Sequence, residues 1–138
     1  MLDTSIAVKV FLPEEWSLEA NVLLEGFRTG KHELIAPEIL RTEFGNVMRR
    51  EMGRDRLSEA QARGTWQRSL QIPIPTVPEK DLDRTAVELA LKHRGGALDG
   101  LFVALALREG ISFVTSDRPM INAYGSLGCL LHIKDLAP

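Results

Sequence analysis

Apolar residues recur along this chain at two spacings, and the alternation between them predicts its elements. Intervals of three and four mark amphipathic helices, whereas short unbroken apolar runs mark buried strands. Ser17 opens a predicted helix to about Thr29, with Ala20, Leu23, Leu24 and Phe27 inward and Gly30 ending it. After Pro37, which suits a first helical turn, Leu40, Phe44, Val47, Met48 and Met52 recur at helical spacing until Gly53. Ser58 with Gln61 reads as a capping box for a helix to about Gln71. Pro78 and Glu79 open another, with Leu82, Ala86, Leu89 and Ala90 on one face, broken by Gly95 and Gly96. Asp99 begins the next: Phe102, Val103, Ala106 and Leu107 are expected inward, and Gly110 closes it. A short helix is expected from Pro119 to Tyr124.

Between these lie the short apolar runs. Met1 and Leu2 form the stub of a strand, and Ile6 to Leu12 is a short apolar segment stopped by Pro13. Strands are predicted at Leu34 to Ala36, Ile111 to Thr115 and Leu130 to Ile133, while Pro73 and Pro75 argue against a central strand at Ile72 to Val77. Short strands alternating with longer helices predict an α/β domain with a mostly parallel sheet. No repeat, low-complexity tract or linker interrupts the pattern, so a single domain over residues 1–138 is expected.

Composition narrows the chemistry. The longest apolar runs fall far below the ~20 residues of a membrane span, and no basic leader followed by an apolar stretch opens the chain. One cysteine, Cys129, rules out an internal disulfide, removes any thiolate zinc site and fits a cytoplasmic protein. The histidines (His32, His93, His132) are scattered, with none at helical ligand spacing from another. A net charge of −2 does not argue for nucleic-acid binding. Its distribution leaves two readings open, because seven arginines from Arg41 to Arg68 face four acids. They form either a solvated helix face or a basic rim for phosphates.

Four acids stand where folding alone explains a carboxylate poorly: Asp3, Glu43, Asp99 and Asp117. Asp3 and Asp117 follow strand-like runs, and in open parallel sheets sites form at the carboxyl ends of strands. Glu43 lies against the apolar stripe of its helix, where desolvation is costly unless the group is paired or metal-bound. Asp99 sits in the first turn of an otherwise apolar helix. Each also has an ordinary reading: a turn or cap for Asp3, Asp99 and Asp117, and pairing with Asn46 for Glu43. Brought together, they make an oxygen-rich cage suited to Mg²⁺ or Mn²⁺ rather than zinc.

Four segments carry a resemblance. Leu2-Asp3-Thr4-Ser5, Glu43-Phe44-Gly45-Asn46-Val47, the run from Leu98 through Asp99 to Ala106, and Thr115-Ser116-Asp117 are similar, in order and spacing, to the four motifs of the PIN-domain nucleases. Phe11-Leu12-Pro13-Glu14-Glu15 and the short chain resemble the bacterial VapC-type toxins. The resemblance implies a three-layer α/β/α sandwich around a mostly parallel sheet. It implies that Asp3, Glu43, Asp99 and Asp117 bind Mg²⁺ or Mn²⁺, that the hydroxyls of Ser5 and Thr115 help order the site, and that Asn46 supports it. It further implies an RNA substrate, a VapB-type antitoxin as partner and a homodimer. Arg49, Arg50 and Arg118 are candidates for RNA phosphate contacts. Rival readings are a PIN ribonuclease of RNA processing and an inert PIN-like binding module. A receiver-type phosphorylation pocket fits less well: Asp3 stands alone, and no lysine follows a central strand.

Overall fold

The computed structural model describes residues 1–136, so the last two residues of the expected domain lie outside the described residues. Strand β3 (Phe113–Thr115) is buried throughout, and its successive side chains serve opposite layers. Phe113 stacks on Phe102 of α6 (Ala97–Glu109), with centroids 5.7 Å apart and planes 8° from parallel. This core extends to Leu82 and to Ala86 of α5 (Asp83–His93). Val114 instead packs with Leu2, Ile133, Ile6 of α1 (Thr4–Phe11) and Ala20 of α2 (Ser17–Arg28). Helices therefore cover both faces of short parallel strands, the expected α/β/α arrangement.

Among the described residues every pairing is parallel. β3 pairs with β4 (Leu130–His132), and Leu2 makes one bridge to Val114. A second pair joins β1 (Ala36–Pro37) to β2 (Thr76–Val77). The β2 pairing agrees with what Pro73 and Pro75 predict: among the described residues β2 is two residues long and pairs on one side only, so no central strand runs there. Those prolines precede the paired residues, and Pro75 contributes a carbonyl, which accepts from Ala36 N–H at 3.1 Å. A proline harms a ladder through its missing N–H, and none is required there.

Three expectations need correction. Ser17 does not cap α2; Trp16 does, in a left-handed conformation (φ 69°), while Ser17 Oγ accepts from Glu14 N–H at 2.9 Å and closes the loop. Pro37 belongs to β1, and α3 (Ile39–Gly53) starts two residues later. Leu107 is 39% exposed rather than inward, because α6 is enclosed over residues 100–106 and emerges only near its end. The predicted capping box is present on α4 (Glu59–Ser69), with both Ser58–Gln61 bonds formed. Phe44 and Met48 of α3 pack with Val8 and Ala62, with Met52 and Trp66 at the margin, so both methionines fill core. Among the described residues no helix is long and apolar enough to cross a membrane.

Candidate active site

Asp3 follows the shortest of strands and is nevertheless firmly held. It is 3% exposed, and its N–H donates to Val114 O at 3.3 Å. Its Oδ1 accepts from the N–H groups of Ser5 and Ile6, which caps α1, and its Oδ2 accepts from the Thr115 hydroxyl. Thr115 Oγ1 in turn accepts from Asp117 N–H at 3.0 Å. Burial pushes the Asp3 carboxyl up to about 6, although the hydrogen bonds from Thr115, Ser5 and Ile6 pull it down. The charged amino terminus is engaged elsewhere, donating to Ser112 O at 2.8 Å, and burial lowers its pKa.

Glu43 is half-buried on α3, and its partner is Thr4 rather than Asn46: the Thr4 hydroxyl donates to Glu43 Oε2 at 2.5 Å. Burial raises its pKa. The Thr4 hydrogen bond opposes that rise, the Asp99 charge adds to it, and Arg50 counters it. Thr4 went unnoticed in the sequence because a threonine after a capping aspartate looks ordinary. The available signal was its place on the first turn of a helix that packs on α3.

Asp99 lies in the first turn of α6, for which Gly96 is the N-cap, so capping does not explain it. Its pKa rises to about 6 through burial, then through Asp117, then through Asp3, with no hydrogen bond opposing them. Asp117 does cap a helix: its Oδ1 accepts from Met120 N–H at 3.0 Å at the start of α7 (Arg118–Tyr124). Capping leaves its other oxygen for the neighbouring space.

All four acids line one solvent-reaching cavity of about 310 Å³, together with Thr4, Ser5, Asn46 and Arg50. Ser5 Oγ accepts from Ser116 N–H at 3.1 Å, tying α1 to the loop after β3. Arg49 and Arg118 are exposed and outside the lining, so of the three candidate arginines the fold brings in only Arg50. The lining offers carboxylate, hydroxyl and amide oxygens without histidine or cysteine, a set that fits a hard divalent cation. As the side chains stand, no three acidic, histidine or cysteine groups among the described residues converge closely enough to hold an ion. Both oxygens of Asp3 already accept hydrogen bonds.

The model of the PIN domain family matches residues 1–125, which takes in all four acids, the Leu2 bridge before Asp3 and strand β3 before Asp117. The chain belongs to the PIN domain family. No curated protein matches it. PIN domains are generally metal-dependent nucleases, and the matched residues include the whole lining of the acid-lined cavity. Two hydrogen-bonded links brace the cavity of this PIN domain. They are the Thr4–Glu43 bond and the Thr115 relay between Asp3 and Asp117.

Proposed function

We propose that this PIN domain is a Mg²⁺- or Mn²⁺-dependent endoribonuclease and the toxin of a VapBC-type pair. One observation carries the reading: carboxylates from four separate segments share one cavity, and two of them are pushed up to about 6. Burial raises both carboxyls, and at Asp99 the charges of Asp117 and Asp3 add to it, so keeping these acids ionised here costs folding energy. A site that maintains this cost is one in which positive charge is expected to bind.

Asp99, Asp117 and Glu43 would hold the cation, with Asp3 completing the negative wall. When bound, the cation supplies an activated water for attack on the phosphodiester and offsets charge in the transition state. The chain's own residues do the rest. Thr115 fixes Asp3 and the backbone of Asp117 relative to one another, and Thr4 holds Glu43 Oε2. Ser5 and Asn46 line the same space. Arg50 sits beside Glu43 and is placed to meet an RNA phosphate, with Arg49 and Arg118 outside the cavity as further contacts. The toxin reading rests on the segment Phe11-Leu12-Pro13-Glu14-Glu15 that closes α1, whose Glu14 pairs with Lys9 of the helix at 3.1 Å. A VapB-type antitoxin, a second copy of the chain and a cytoplasmic setting belong to the same proposal.

Asp99→Asn decides it. The variant is expected to fold, to lose Mn²⁺ binding and to cut RNA at least about 10³-fold more slowly, a loss of about 4 kcal/mol of transition-state stabilisation. Wild-type cleavage rates in that variant would overturn the site. Expression of the wild-type chain in bacteria should arrest growth, and expression of Asp99→Asn should not. Cleavage in vitro without growth arrest would favour a nuclease of RNA processing.

A further inference from the structure

The turn joining α5 to α6 lies against the ring of Tyr124, in a contact that only glycine permits. A Cβ added at Gly95 would stand 2.4 Å from Tyr124 Cζ. Tyr124 is 0% exposed, and its hydroxyl donates to Gly96 O at 2.8 Å. The same carbonyl accepts Gly100 N–H at 2.9 Å, so both of its lone pairs are used. Gly100 presses on α5 in turn: a Cβ there would meet Ala86 O at 2.6 Å. Asp99 sits between these two glycines, on the helical turn that the Gly96 carbonyl closes. No hydrogen bond opposes the rise of its carboxyl pKa, and the backbone of this turn sets its place.

α7 connects this turn to Asp117, another acid of the cavity lining. Asp117 is its N-cap and Tyr124 its last residue, so a strut of about 10 Å, at 1.5 Å per residue, runs from one acid to the turn bearing another. We infer that Tyr124 is a positioning residue: through its hydrogen bond to Gly96, α7 sets the separation of Asp99 from Asp117 in the cavity. This rests on the metal-site reading above, yet it also makes a demand on the metal-free protein.

Tyr124→Phe keeps the ring and removes the hydroxyl. In the metal-free variant, amide exchange at residues 96–100 should accelerate about tenfold, as loss of one buried hydrogen bond allows, with the rest of α6 unchanged. Mn²⁺ affinity measured by calorimetry should weaken about tenfold. The kcat for RNA should fall by a similar factor of about ten at unchanged KM, while Tm falls by only about 3–5 °C. Unchanged exchange over residues 96–100 would overturn the latch. Faster exchange with unaltered Mn²⁺ affinity would overturn the positioning role. Binding that Asp99→Asn abolishes and Tyr124→Phe spares would overturn the inference alone. Wild-type protein that binds no Mn²⁺ would overturn the metal reading and the positioning role together.

Discussion

Asp3 and Asp99 face the same cavity, and both are pushed up to about 6, but by different means. At Asp3 burial acts against a set of hydrogen bonds from Thr115, Ser5 and Ile6. At Asp99 burial is joined by the charges of Asp117 and Asp3, with no hydrogen bond in opposition. One acid is part of the fold's own bonding, capping α1 and tying it to β3. The other is held in place by the helix that bears it, at an electrostatic cost. Similar acidity therefore conceals opposite roles: the fold depends on Asp3 and tolerates Asp99.

Substitution should separate the two. Asp3→Ala leaves the Thr115 hydroxyl and the Ser5 and Ile6 amides without their acceptor. It should destabilise the protein by about 2–3 kcal/mol and lower Tm by about 5–10 °C, measured by thermal unfolding. A stable Asp3→Ala protein would erase the contrast. Asp99→Asn should do the reverse in metal-free protein at pH 7. Solvent in the cavity screens the relieved repulsion, so the gain is about 1 kcal/mol at most, a rise in Tm of about 2–4 °C. A fall in Tm would show that Asp99 also supports the fold.

The dependence on pH sharpens the same point. Both carboxyls titrate higher in the folded chain than their ordinary value of 3.8, so the folded state holds their protons more tightly. Their contribution to stability is full below the ordinary value and is lost as pH rises through about 6. Metal-free wild type should thus lose stability between roughly pH 4 and 6.5, and Asp99→Asn should lose less. Mn²⁺ affinity should run the opposite way and rise across that window as the carboxyls ionise. Parallel stability curves for the two proteins would remove Asp99 from the account. Thr4→Val should have the smallest effect. It removes one bond that lowers the Glu43 pKa and is expected to weaken Mn²⁺ binding about three- to tenfold, with little change in Tm.

Much of this was legible in the sequence, and what was not has physical causes. The long helices repeat their apolar spacing over several turns, and Ser58–Gln61 announces α4 in side chains that bond only locally. β1 and β2 are two residues each, too short to show any period, and β2 sits at an edge, where the prolines before it are no obstacle. α6 buries residues 100–106 on all sides, so no stripe distinguishes Leu107 from its neighbours. The acids themselves could be picked out because a carboxylate beside apolar residues is costly. Their supports could not, since Thr4 reaches Glu43 across 39 positions and Tyr124 reaches Gly96 across 28. A hydroxyl carries no such cost that would mark its partner in advance.

One of those hydroxyls restricts what may stand in its place. At Thr115 a single oxygen gives its only hydrogen to Asp3 and takes one from Asp117. Valine matches the shape but leaves the Asp117 amide and the Asp3 Oδ2 without a partner. Asparagine separates donor from acceptor onto two atoms and adds bulk where nothing is exposed. Among all twenty residues, only serine could replace threonine there and keep both bonds. A library randomised at position 115 would then be nearly binary: two alleles that retain the site and a large remainder that lose it.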